Sequence, residues 1–277
     1  MIISNATKLK SQTKEQFTKT PCGSHYLKQN YLIVNNFFYK EAFDYRYKVY
    51  SPWLQTYILE LCKKYNLKNK FFLEVGHGMG FDGLLFKKQG VDYTGIDLSS
   101  SHHIIAPKIF ELNKVSGTFL ISDCEKLKLK KESIDFVYSF GVLHHTPNID
   151  SAIKHINFVL KPYGNFVFAV YAKYSFAYFL KVVLYYGIFK GYFLKYNASE
   201  IRSMVIEENS KNTKPYVKVY TKKEVVNLVE KNGFKVNKIF KKHLFRETRN
   251  VIVPKFMRRF LEKIGGWYII VECKKIN

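Results

Sequence analysis

Through the middle of the chain, short apolar runs alternate with stretches whose apolar positions recur every three or four residues. Residues 70–75 (KFFLEV) form one such run and end in Gly76-His77-Gly78-Met79-Gly80. That pattern predicts a buried strand, a glycine turn and a helix over 81–89 that stops at Gly90. The rhythm continues with strands at 91–97, 118–122, 134–139 and 165–171 and helices at 102–113 and 150–160. Upstream, Leu54, Ile58, Leu61 and Cys62 fall at helical spacing over 52–65, with Pro52 in the first turn and Ser51 as the cap. Downstream, Thr221 caps a helix over 222–231 that Asn232-Gly233 closes, and 234–240 and 266–272 read as two last strands. Near-continuous apolar strands separated by helices predict an α/β fold, a doubly wound and mainly parallel sheet covered on both faces.

Two segments break this rhythm. Residues 1–50 are polar and aromatic without a clear period. Residues 172–219 are first aromatic and lysine-spaced, then polar. The most membrane-like stretch, 175–194, carries Lys181 and Lys190, so it suits lying on a membrane or covering a pocket better than crossing a bilayer. The first ten residues lack the apolar core of a secretory signal. Cys22, Cys62, Cys124 and Cys273 lie far apart without a CxxC pair. This argues against a disulfide framework and a zinc site, and for a reducing, cytoplasmic compartment with no bound metal.

Length and composition change the picture only in part. The 277 residues, 47% of them hydrophobic, fit one large domain with elaborations. The formal charge of +23 points to nucleic acid, an anionic membrane or an acidic substrate, or to lysine-rich compositional bias. Residues 71–171 hold 10 Lys+Arg and 10 Asp+Glu, whereas 1–70 hold 12 against 4 and 172–277 hold 23 against 8. The excess therefore lies outside the alternating core. Its densest part is residues 235–259, with nine basic residues opposed only by Glu247.

The candidate chemistry sits at three strand ends. Glycines at 76, 78 and 80 let backbone approach a ligand, and the following helix offers its amides. Asp97 ends the next strand, where nucleotide-binding sheets place an acid on ribose hydroxyls. Asp123, beside Cys124 and Glu125, ends the third, where an acid can meet an adenine amino group. A dinucleotide fingerprint beginning at Gly76 needs a small residue at position 81, which is Phe81. Glu74 within the strand also fits a pyrophosphate poorly and suits a ligand that brings positive charge.

With these residues in place, the chain resembles the class I S-adenosylmethionine-dependent methyltransferases, from about residue 22 to the C-terminus and most closely over 71–171. Glu74-Val75-Gly76-His77-Gly78-Met79-Gly80 is similar to that family's first motif, and Tyr93-Thr94-Gly95-Ile96-Asp97 to its second. Ser139-Phe140-Gly141-Val142-Leu143-His144-His145 resembles its fourth-strand motif, and Leu160-Lys161-Pro162-Tyr163-Gly164 its turn, with Tyr163 in place of a glycine. The resemblance implies a Rossmann-like sheet of seven strands, mostly parallel with the last antiparallel. It implies a helical N-terminal extension or lid over 1–50 and a domain over 51–277 with an insertion at 172–219. It implies S-adenosyl-L-methionine as cofactor: Gly76, Gly78 and Gly80 beside its methionine moiety, Glu74 holding the loop and the ammonium, Asp97 on the ribose, Asp123 at the adenine and Phe140 alongside.

Methyl transfer asks the protein to position an acceptor and, for some acceptors, to remove a proton. His144 and His145 are the candidate bases, against a reading in which both merely hydrogen-bond backbone. His77 reads as a variant of the glycine loop, and His102-His103 as the start of a helix. Tyr45-Arg46-Tyr47 and Trp53 suit a lid. The aromatic residues of the insertion suit either ordinary packing or a cover over a hydrophobic acceptor. A small-molecule acceptor, hydrophobic or acidic, is therefore expected. Ser139-Phe140-Gly141 stands where base-amino methyltransferases carry Asn/Asp-Pro-Pro-aromatic, and no Pro-Cys nucleophile stands at that fourth-strand position, which argues against nucleic acid. An RNA methyltransferase using the basic flanks and a non-catalytic scaffold remain the alternatives. An anionic membrane is a further expected contact of those flanks.

Overall fold

The computed structural model describes residues 5–24, 27–28, 30–31, 33–206, 214–244 and 254–277. Seven strands are formed: β1 Phe71–Val75, β2 Asp92–Asp97, β3 Thr118–Ile121, β4 Ile134–Phe140, β5 Leu160–Tyr171, β6 Phe234–Lys242 and β7 Tyr268–Lys275. They make one sheet in the order β3-β2-β1-β4-β5-β7-β6. The first five run parallel, and β7 runs antiparallel between β5 and β6. The doubly wound α/β sheet with its antiparallel last strand is thus as the sequence leads one to expect.

The two-residue period of each strand sorts side chains onto two faces. Phe72, Tyr93, Phe136 and Tyr138 build an aromatic core under α3 (Leu54–Lys64), α4 (Phe81–Lys88) and α5 (Ser100–Leu112). Leu73, Val75, Val137 and Phe168 build the opposite core under α6 (Ile149–Val159) and α8 (Lys222–Glu230). Thr221 caps α8 in a reciprocal box with Glu224, as its sequence predicts.

Local differences have local causes. The helix expected from Pro52 begins at Leu54, with Trp53 at its cap and no side-chain cap bond. Ser51 instead accepts the Leu54 amide through its carbonyl, and its buried hydroxyl lies 3.4 Å from His243 Nδ1. The reason is that the chain arrives from a π-helical turn, Tyr45–Tyr50, so Pro52 and Trp53 form a separate bend. The turn at 161–164 is absorbed into β5, and Tyr163 takes φ 62°, the left-handed conformation that favours glycine.

The N-terminal segment folds as α1 (Asn5–Lys19) and α2 (Asn36–Asp44), the latter running into the π-helical turn. Residues at the end of α1 sit on the start of α5, where Ser99 Oγ donates to the Phe17 carbonyl and Ser101 Oγ to that of Thr18. The insertion forms a π-helical segment, Tyr178–Phe189, followed by α7 (Ala198–Val205). Its Phe179, Leu180, Tyr185, Ile188 and Phe189 are exposed, so most of the aromatic stripe is not core. Between β6 and β7 lies α9 (Lys255–Gly265). Among the described residues no helix is long and apolar enough to cross a membrane. The basic stretch 235–259 falls partly outside the described residues, including Arg246, Glu247 and Arg249.

Candidate active site

A cavity of about 320 Å³ opens at the carboxyl ends of β1, β2 and β4, the edge where open α/β sheets hold ligands. The glycine loop forms its floor. Gly76, Gly78 and Gly80 all have positive φ, but they serve different ends. A β-carbon at Gly76 would overlap the Val142 side chain, and one at Gly80 would meet Ala106. At Gly78 a β-carbon would meet nothing within 4 Å, so that backbone faces open space. Gly76 and Gly78 line the cavity, whereas Gly80 turns the chain into α4.

Asp97 fixes this loop. Its Oδ2 accepts the Gly78 amide at 3.0 Å, and its Oδ1 accepts the Ser99 amide at 2.8 Å. His102 Nδ1 lies 3.1 Å from Oδ2, and the Cys22 amide points at His102 Nε2. With Nε2 accepting, the imidazole proton sits on Nδ1 and faces the carboxylate. Burial opposes the charge of Asp97, yet His102 and the backbone donor hold its carboxyl below the usual aspartate range.

Glu74 lines the cavity and is buried. Its Oε2 accepts the Tyr93 hydroxyl at 2.5 Å. Burial, and then the nearby Asp82 carboxylate, push its carboxyl well above the usual range, against the pull of Tyr93 and Arg46. Asp82 itself is held by Arg46 Nε at 2.6 Å and Nη2 at 2.5 Å, by the Tyr47 hydroxyl at 2.6 Å and by that of Tyr138 at 3.2 Å.

The other expected residues are placed unequally. Phe140 lines the cavity, its ring 4.8 Å from that of Tyr268 and 5.9 Å from that of Trp53. Asp123 caps the Glu125 amide and pairs with Lys10 of α1 at 2.6 Å, while its neighbours Ser122 and Cys124 line the cavity. Its carboxylate is therefore already engaged by the N-terminal helix. His145 lines the cavity, with Nδ1 2.8 Å from the Tyr216 carbonyl. His144 does not. It is fully buried, its ring centroid 3.6 Å from that of Tyr171, and burial followed by its neighbour His145 keeps it neutral. The structure thus brings one of the two histidines to the cavity: their ring centroids lie 4.3 Å apart, and His144 is packed behind His145 against Tyr171. Among the described residues no cluster of acids, histidines or cysteines could hold a metal.

The profile of the methyltransferase-domain family matches residues 45–239. The chain belongs to that family. It is 27% identical over 246 residues to an uncharacterised protein of Methanocaldococcus jannaschii, covering 87% of this chain and 92% of that one. It is 30% identical over 98 residues to the ubiquinone biosynthesis O-methyltransferase of Coxiella burnetii, covering 35% of this chain and 42% of that enzyme. Its fold matches magnesium protoporphyrin IX methyltransferase of Synechocystis, solved with bound S-adenosylhomocysteine, at a TM-score of 0.61 and 15% identity over 96% of this chain and 99% of that one. This methyltransferase is a class I enzyme by family and fold, and its cofactor is S-adenosylmethionine.

The residues present fit that cofactor. Open space over Gly78 admits it, Asp97 keeps lone pairs beyond its three contacts, and buried Glu74 offers a carboxyl where a cation would be compensated. The cofactor supplies a methyl group already activated on a sulfonium. The state of Glu74 carries a test. A cationic ligand beside a carboxyl with raised pKa favours its ionised form, so binding releases a proton. S-adenosylhomocysteine affinity is therefore expected to tighten with rising pH, by less than about tenfold per pH unit for a single proton. Calorimetry in buffers of different ionisation heat reads that proton directly, and proton uptake on binding would contradict the sign.

Sequence reasoning missed three participants. By its sequence Arg46 suits only a place in a lid, with Tyr45, Tyr47 and Trp53, yet it lines the cavity and holds Asp82. The sequence suggests that His102 begins a helix; α5 begins two residues earlier, at Ser100, and His102 in its first turn also orients Asp97. His243 lines the cavity with φ 71°, and burial, then Arg258 and Lys242, push its imidazole down to about 4. A lone histidine between lysines and a leucine offered no signal of this placement.

Proposed function

We propose that this enzyme methylates a small, mainly apolar acceptor that carries an acidic group. The observation behind this reading is the far end of the cavity. Tyr171, Val182, Ile206, Trp267 and Tyr268 line it, together with Lys181. Lys181 has no ion-pair partner among the described residues. Aromatic walls with one cation suit an apolar body with a carboxylate or phenolate. The partial likeness to a ubiquinone biosynthesis enzyme supports the same class of acceptor. Residues 1–50 act as the lid: Lys10 ties α1 to Asp123 and Glu125, and the Phe17 ring stands 5.2 Å from His145.

His145 is the proton acceptor in this reading. With Nδ1–H donating to the Tyr216 carbonyl, the lone pair sits on Nε2. Incubation with labelled cofactor and a panel of lipophilic phenols, lipophilic acids and RNA tests the acceptor class. Transfer confined to RNA would overturn it. His145→Ala is expected to lower kcat by about tenfold, less than the usual loss for a general base because the methyl group is already activated. Affinity for S-adenosylhomocysteine should stay unchanged, and full turnover in the variant removes His145 from this role.

A further inference from the structure

The apolar side of α9 faces the wrong way for a core helix. Phe256, Met257, Phe260 and Ile264 are 73%, 43%, 61% and 51% exposed. At about 100° per residue they and Leu261 fall on one arc of the helix. The opposite, buried position is Glu262, which pairs with Lys242. Arg258 and Lys263 flank the apolar arc, and Arg259 follows on the polar side.

A second exposed apolar surface adjoins it. Lys241 Nζ donates to the carbonyls of both Tyr174 and Ile264, and a β-carbon at Gly265 would overlap the Phe176 ring. The C-terminal end of α9 therefore abuts the residues that lead into the π-helical segment. That segment exposes Phe179, Leu180, Ile188 and Phe189, with Lys190 exposed at its end. Residues 172–277 carry 23 basic against 8 acidic residues.

We propose that the face formed by α9 and the π-helical segment docks on an anionic lipid bilayer. A helix with phenylalanine, methionine and isoleucine on one side and arginine and lysine along its margins lies in the plane of a lipid interface. Acidic headgroups complement the excess charge of this half. The π-helical segment borders the far end of the cavity through Lys181 and Val182, and Trp267 and Tyr268, which follow α9 in the chain, border it as well. Docking would let an apolar acceptor enter from lipid, but the docking itself does not depend on what the acceptor is.

The test is flotation of the purified full chain with vesicles of pure phosphatidylcholine and of phosphatidylcholine with about one third phosphatidylglycerol. The expected result is partition onto the anionic vesicles only, weakened by salt. Phe256→Ser with Phe260→Ser removes the apolar arc, and Arg258→Gln with Arg259→Gln removes two charges. Each pair is expected to cost more than about tenfold in partition. All four side chains are exposed, so S-adenosylhomocysteine binding should persist and report an intact fold. Absence of partition onto anionic vesicles, or partition unmoved by both pairs, overturns the proposal. So does conversion of a lipid-free dimer to a monomer by the phenylalanine pair, which would make the arc a contact between two copies.

Discussion

Replacing Asp97 with alanine is expected to weaken S-adenosylhomocysteine binding by about two orders of magnitude, the loss of one to two hydrogen bonds to a charged group. The effect has two parts. If Asp97 accepts from the ribose hydroxyls, as proposed, the ribose loses that acceptor. The loop also loses its tether, since the Gly78 amide donates to Asp97 Oδ2, and the open face above the loop begins at Gly78. His102 would then face an empty position, with its proton directed there by the Cys22 amide on its other nitrogen. Asp97→Asn should fall between, because an amide oxygen can still accept one backbone donor but cannot hold the imidazole as well. Calorimetric titration measures the affinity, and thermal unfolding checks that the variant is folded. Affinity within twofold of the parent would remove Asp97 from the cofactor site.

The sequence carried the sheet and the cofactor edge because both are written in local patterns. Strands buried on two faces must be continuous apolar runs, and a loop at positive φ must be rich in glycine. The flanks follow other rules. Helix α1 buries only Thr13 and Gln16, so no apolar stripe announces it, and it is held by ion pairs and carbonyl contacts instead. The reach of Lys10 to Asp123 spans more than a hundred residues, and no local spacing encodes it. The same holds for His243, which a strand end and a left-handed residue carry into the cavity. His144 and His145 show the reverse limit: the motif named both, but only three-dimensional packing separates the buried ring from the one at the cavity. Helix α9 was hidden for a further reason, since its apolar arc points outward and does not belong to the core.

Asp82→Ala is expected to destabilise the fold by about 3–5 kcal/mol, the usual result of removing one partner of a buried ion pair. Asp82 is 3% exposed and accepts from four donors on two elements, Arg46 and Tyr47 of the π-helical turn and Tyr138 of β4, while itself opening α4. It is thus one point where the N-terminal segment is fastened to the sheet domain. Alanine leaves two buried phenols without their acceptor and a guanidinium unpaired at the cavity wall. The cost belongs to the orphaned charge more than to the pair, so Arg46→Met added to Asp82→Ala should recover part of it. The neighbouring Glu74 also limits the loss. Its carboxyl is held up partly by Asp82, so removing that carboxylate lets it ionise beside Arg46. Urea unfolding of the two single variants and the double variant measures the coupling. Additive losses would mean that Arg46 and Asp82 do not act as a pair. Loss of less than about 1 kcal/mol for Asp82→Ala would place the junction in the range of an exposed surface bridge. A weak junction of that kind could not hold Tyr45 and Arg46 in the wall of the cavity.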